Sequence, residues 1–116
     1  MELEISEFYA LQAELASLLK SKSTISLKLD LTDLKLYVNQ ELKASEEVKK
    51  ELYKKYGKEI AEDSYKLETE ESIELFLKDW SEVLKEKREF SKKVDITKFL
   101  NIETDSNLEV LLKLSK

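Results

Sequence analysis

Between Ser26 and Gly57 the sequence offers nothing that would stop a helix. The whole chain of 116 residues holds one glycine and no proline. Strands and tight turns draw on Gly, Pro and Asn for their special backbone angles, so a chain this poor in them is directed towards long helices. Within that uninterrupted stretch Leu31, Leu34, Val38, Leu42, Ser45, Val48, Leu52 and Tyr56 recur at spacings of three and four. This near-heptad stripe predicts one helix over about 31–56. Glu46 with Lys50, and Glu51 with Lys55, are spaced i,i+4 in the favourable order. Gly57 then falls where a left-handed C′ residue is expected to end the helix.

Residues 25–31 fit two templates. Ile25, Leu27, Leu29 and Leu31 alternate as in a strand, while Leu27, Leu31, Leu34 and Val38 extend the helical stripe. The lack of punctuation favours helix. Were the segment extended, its partner would come from the connector 58–68, where Tyr65 and Leu67 alternate briefly. Before it, Phe8, Leu11, Leu15 and Leu18 predict an amphipathic helix over about 6–20, capped by Ser6, and Lys20–Thr24 reads as a loop. After the connector, Thr69 is an N-cap followed by Glu70 and Glu71. Ile73, Phe76, Leu77, Trp80, Val83 and Leu84 form the apolar stripe of a helix running to near Glu89, with Lys85, Lys87 and Arg88 in its last turn. Val94, Ile96, Phe99, Leu100 and Ile102 are expected to pack along the hairpin. Asp105 is expected to cap a short final helix holding Leu108, Leu111 and Leu112.

The expected fold is therefore mainly α, in a single domain over 1–116. It is a long antiparallel helical hairpin braced by an N-terminal helix and a C-terminal segment, with a minimal pairing of 25–30 and 64–68 as the open alternative. Apolar residues make up 41% of the chain, enough for one modest core, and charged residues 39%.

What the composition lacks bears on function. Without His, the commonest general base and metal ligand is missing; without Cys, thiolate chemistry, disulfides and zinc–thiolate sites are out of reach. A single glycine cannot build a Gly-rich phosphate loop. The 25 acidic residues give chance carboxylate pairs but no marked pocket. The chain reads as a non-enzyme with no cofactor and no bound metal. Its amino terminus lacks the basic start and apolar core of a secretory signal. Its longest apolar run, Phe8-Tyr9-Ala10-Leu11, is far short of the ~20 residues that span a bilayer. A soluble protein of the cytoplasm is expected, with no membrane partner.

The run Lys49-Lys50-Glu51-Leu52-Tyr53-Lys54-Lys55-Tyr56-Gly57-Lys58 has the residue types of a nucleic-acid patch. Two features argue against that use. Arg88 is the lone arginine among twenty basic residues, and arginine supplies the forked contacts that read phosphate and bases. In an antiparallel hairpin the basic end also lies beside Glu59, Glu62, Asp63, Glu68, Glu70, Glu71 and Glu74. Those acids lack the spacing of a calcium loop and read as a solvated connector. Trp80 sits on the apolar stripe and reads as core. Leu36 and Tyr37 fall off the main stripe of the long helix, and Leu29 and Tyr53 lie near the same second face. A helix with two apolar faces is buried on two sides. The N-terminal helix and the C-terminal segment can supply the second side within the chain; otherwise these four residues are the partner-binding set, for a protein partner or self-association.

The stretch Glu46-Glu47-Val48-Lys49-Lys50-Glu51-Leu52-Tyr53-Lys54-Lys55-Tyr56-Gly57, followed by Ser64-Tyr65-Lys66-Leu67, a helix with Trp80, and Ile96-Thr97-Lys98-Phe99-Leu100, resembles a group of small proteins from phages and prophages of low-GC Gram-positive bacteria. The resemblance covers about residues 11–112 in pattern. It implies a viral or prophage origin and carries over no catalytic residue. The function expected is a protein-interaction module, as a minor virion or assembly component in the host cytoplasm or on the virion. An inhibitor of a host enzyme, such as an anti-defence protein, is the alternative, and a nucleic-acid-binding regulator the third.

Overall fold

The computed structural model describes residues 1–93, 99 and 108–114. Its elements run β1 (Glu2–Glu4), α1 (Ile5–Lys20), α2 (Ile25–Tyr56), β2 (Lys58–Ala61), β3 (Ser64–Lys66), α3 (Glu70–Lys85), β4 (Lys87–Glu89) and α4 (Glu109–Lys113). The protein is mainly α, and its described residues divide between two compact units. One comprises 1–42 with 87–116, the other 43–86, and α2 contributes to both.

Helix α2 settles the ambiguity at 25–31 in favour of helix. The Leu27 N–H donates to Thr24 Oγ1 at 3.2 Å, and the Lys28 N–H donates to the Thr24 carbonyl at 3.0 Å. Thr24 thus caps the helix one residue before Ile25. The alternative pairing of 25–30 with 64–68 is not formed. Residues 64–66 pair instead with their neighbour β2, in the register Lys58↔Lys66, Glu59↔Tyr65 and Ala61↔Ser64, with an irregularity between Glu59 and Ala61. A nearby strand costs less loop-closure entropy than one at the far end of a long helix. Asp63 adopts φ 56° in the turn, a left-handed conformation that short polar side chains tolerate.

In the first unit, α1 and the first half of α2 bury Phe8, Leu11, Leu15 and Leu18 together with Leu31, Leu34, Val38 and Leu42. Gln12 Nε2 donates to Asn39 Oδ1 at 2.8 Å across the two helices. Ser6 is not the cap of α1. The helix begins one residue earlier with Glu4 at the N-cap, and Glu7 reaches back to accept the Glu4 N–H at 3.1 Å.

A two-stranded antiparallel pair closes this unit, with Glu2↔Glu89, Leu3↔Arg88 and Glu4↔Lys87 in register. The like charges of Glu2 and Glu89 are tolerated because the Met1 ammonium sits 2.7 Å from Glu89 Oε1. Leu3 is fully buried, and the Phe90 N–H donates to the Met1 carbonyl at 2.7 Å. Lys87 and Arg88, expected in the last turn of α3, belong to this strand. Helix α3 ends at Lys85, where the Glu86 N–H turns back to the Val83 carbonyl at 3.1 Å.

Helix α4 lies on α1. Leu108 occupies its N-cap and supplies no side-chain bond. The cap comes from α1 instead: the Glu14 carboxylate accepts the N–H groups of Val110 at 3.3 Å and Leu111 at 3.1 Å. These are the second and third residues of α4, the donors that a capping side chain ordinarily serves. At the other end Lys113 Nζ meets Glu7 Oε2 at 2.6 Å. Phe99, Val110 and Leu111 are buried. Val94, Ile96, Leu100, Ile102 and the expected cap Asp105 lie outside the described residues.

In the second unit the end of α2 packs antiparallel on α3. Tyr53 meets Phe76 with ring centroids 4.6 Å apart, and four residues earlier on α2, Lys49 Nζ lies 5.4 Å from the Trp80 ring, four residues later on α3. Thr69 caps α3 as expected, accepting the Ser72 N–H at 3.0 Å. Gly57 does not take a left-handed φ. What it provides is room, because a Cβ there would lie 2.5 Å from the Tyr53 carbonyl oxygen and 3.3 Å from Tyr65 Cβ. The hairpin β2–β3 folds back against the end of α2 at a point that only glycine allows.

Candidate interaction surface

Helix α2 carries a second apolar stripe on the side away from its core. At about 100° per residue, the buried Leu31, Leu34, Val38 and Leu42 form one stripe, and Ile25, Leu29, Thr32 and Leu36 form another roughly 150° round the axis. The second stripe is open. Ile25 is 80% exposed, Leu29 62% and Leu36 60%. Scattered surface leucines are ordinary, but three large aliphatics aligned over three turns are not a solvated face.

The four candidate residues separate in the structure. Leu29 and Leu36 stand together on the open stripe. Tyr37 turns towards its own unit. Its ring meets Phe90 edge-on at 5.1 Å, Phe90 in turn lies 6.0 Å from Phe8, and its hydroxyl accepts the Ser91 N–H at 2.9 Å. Tyr53 is half-buried against Phe76 in the other unit. Ile25, not among the four, joins the stripe. Once 25–31 is helical its spacing of four from Leu29 and eleven from Leu36 places it there, a consequence hidden while the strand template remained open.

The basic run is largely taken up by contacts within the second unit. Lys50 pairs with Glu47 at 3.6 Å and Lys55 with Asp79 at 3.9 Å, while Lys49 covers Trp80. The Tyr56 hydroxyl donates to Asp79 Oδ2. The acids paired with these lysines are Glu47 on the same helix and Asp79 on α3, and the connector's Asp63 shares a cleft with Lys50 and Lys54. Lys55 is held above its ordinary pKa by its hydrogen bond to Tyr56, with the charge of Asp79 adding to it. Arg88 spends its guanidinium on a main-chain carbonyl, Nη1 donating to Glu41 O at 3.0 Å.

Two other surfaces stand out among the described residues. A cleft of about 730 Å³ is lined by residues that include Lys50, Tyr53, Lys54, Ile60 and Tyr65, with Glu47 and Asp63 beside the lysines. Both signs of charge line it, so it selects no ligand charge. On α3 the apolar stripe is wider than the surface α2 offers it. Phe76 is buried and Trp80, Val83 and Leu84 are half-buried, while Ile73 and Leu77 stay exposed. Among the described residues no helix is long and apolar enough to cross a membrane. Comparison with protein-family models, curated proteins and solved structures finds no match.

Proposed function

We propose that the protein is a non-enzymatic interaction module that binds another protein surface through the outer face of α2. The observation that carries this reading is the open stripe of Ile25, Leu29 and Leu36. A helix-in-groove or helix-on-helix contact is read through apolar anchors at spacings of three, four and seven, and this stripe has the four and the seven. Exposure of such a stripe costs solubility and earns its place only when something covers it. The engaged state of Arg88 and of the lysines at 49, 50 and 55 supports protein over nucleic acid as the partner. The resemblance to phage and prophage proteins supports a minor virion or assembly component as the setting.

The test is affinity capture with the tagged full chain from phage-infected bacterial extract, comparing wild type with Leu29→Glu and Leu36→Glu. Both substitutions lie on the exposed face and should leave the helical circular dichroism unchanged. Capsid, tail or assembly proteins recovered by wild type and lost by both variants are expected. Equal recovery by all three chains would refute the assignment of this face. Recovery of a host nuclease in place of virion proteins would replace the virion setting with that of an inhibitor.

A further inference from the structure

We infer that the partner of the α2 stripe is a second copy of this chain, paired parallel and in register through residues 25–36. The inference rests on the proposed interaction role of that face and names its occupant. The spacing Ile25, Leu29, Thr32, Leu36 is four, three, four, which is the alternation of d and a positions in a two-stranded coiled coil. All four residues are exposed. The next core positions in that heptad are Asn39 and Lys43. Asn39 is already bonded to Gln12, and a lysine is a poor core residue, so the apolar seam ends after three turns, about 17 Å.

The charges beside the seam decide orientation. Lys28 and Lys35 occupy the g positions on one flank, and Asp33 and Gln40 the e positions on the other. In a parallel pair each g residue faces the e residue five positions later on the partner. Lys28 then meets Asp33 of the other copy, and two-fold symmetry forms this ion pair twice. Lys35 meets Gln40, a neutral acceptor. In an antiparallel pair g faces g and e faces e, which sets lysine against lysine on one side and leaves Asp33 no cation on the other. A heterologous partner would have to reproduce the same pattern, whereas a second copy carries it already. By contrast, nothing beside Ile73 and Leu77 on α3 indicates what would cover them.

So short a seam makes a weak, concentration-dependent dimer, at the small end of specific interfaces. It should be read by sedimentation equilibrium of the full chain from about 1 µM to 1 mM in low salt, a range that spans weak protein association. Wild type is expected to dimerise within it, and Leu36→Glu to weaken the dimer by at least tenfold, an acid then facing its own copy across the seam. Lys28→Glu alone and Asp33→Lys alone should each weaken it roughly five- to thirty-fold, since each turns two attractions into two repulsions. An equimolar mixture of those two variants should dimerise again, because each copy then supplies the charge the other lacks. Since the chain has no cysteine, Thr32→Cys reports orientation: a parallel pair brings the two thiols together, and added oxidised glutathione then links them in a covalent dimer by disulfide exchange, releasing reduced glutathione.

A wild-type chain that stays monomeric to 1 mM would overturn the inference. So would a dimer strengthened by Lys28→Glu, which is the antiparallel result. If the chain is monomeric but Leu29→Glu and Leu36→Glu still abolish capture of another protein, the interaction face stands and only its occupant is wrong.

Discussion

Replacing Glu14 tests whether α4 is held by a cap supplied from another helix. Glu14 is buried, and its carboxylate serves the N–H groups of both Val110 and Leu111. In Glu14→Ala both donors lose their acceptor. Loss of an N-cap costs ~0.5–2 kcal/mol, and a buried donor left unpaired costs ~1–3 kcal/mol. Against this, the alanine chain no longer has to bury a carboxylate. Both figures describe the same broken bonds, so the expected net loss is about 1–3 kcal/mol, a sizeable part of the ~5–15 kcal/mol that stabilises a typical domain. Glu14→Gln keeps one acceptor oxygen and should lose only ~1 kcal/mol.

The two variants differ further in pH dependence. Burial is the largest influence on Glu14 and raises its pKa above the ordinary 4.5; the N–H groups of Leu111 and Val110 oppose it, and Glu109 adds to it. The folded chain therefore binds this proton more tightly than the unfolded chain. The group's contribution to stability grows as pH falls from neutral through the raised pKa, and is complete below the unfolded value. Urea unfolding at pH 7 and pH 5, with amide exchange at Val110 and Leu111, measures both effects. Wild type should gain stability on acidification relative to Glu14→Gln. A Glu14→Ala chain within ~0.5 kcal/mol of wild type, a loss too small for a broken cap, with those amides still protected, would refute the capping argument. A Glu14→Gln chain with the wild-type pH slope would refute the titration.

Glu7 should behave oppositely. Burial works against its ionisation, but the Lys113 ammonium, the Glu4 N–H and Lys87 outweigh it and lower its pKa. Its contribution is present above pH ~4.5 and lost below, so Lys113→Met should reduce acid sensitivity in that lower window when unfolding is followed from pH 5 to pH 2. Gly57→Ala should destabilise the second unit by ~1–3 kcal/mol through the clash with the Tyr53 carbonyl, read as loss of the β2–β3 amide pattern in NMR spectra. Thr69→Ala should cost ~1 kcal/mol through the lost cap, visible in the urea midpoint. Tyr37→Glu should lower thermal stability by removing the Phe90 contact and the bond to Ser91, whereas Tyr37→Phe should lose only ~1 kcal/mol. Unchanged melting of the Glu variant would return Tyr37 to the surface.

The helices were legible because periodicity repeats. The stripe from Leu31 to Tyr56, and Thr69 followed by Glu70 and Glu71, each carry several independent residues pointing one way. The strands were not. β1 holds one apolar residue, Leu3, between two glutamates, and β4 reads Lys-Arg-Glu, so neither is long enough to show a period of two. The two strands lie more than eighty residues apart in sequence, where local pattern carries no information. Gly57 was correctly marked as the end of α2 for the wrong reason, since sequence suggests a special φ but not the close approach of a carbonyl and a neighbouring side chain. In the candidate site Leu36 was identified by falling off the main stripe, and Leu29 by lying near the same second face. Tyr37 satisfied the same criterion yet packs inward, because its ring is long enough to reach Phe90, and nothing local to Tyr37 announces Phe90.

The pairing of β1 with β4 has a consequence for the order of events during synthesis. The first unit is discontinuous in sequence, and its closing contacts join residues 2–4 to residues 87–89. The second unit, 43–86, is continuous and lies wholly between them. Contacts near in sequence form fast and distant ones slowly, and chains emerge from the ribosome amino end first. Leu3 and the apolar faces of α1 and early α2 therefore emerge well before the strand that completes their unit has been made. The segment translated in the meantime is the one able to finish first, so residues 2–4, made before the second unit, reach their native contacts after it.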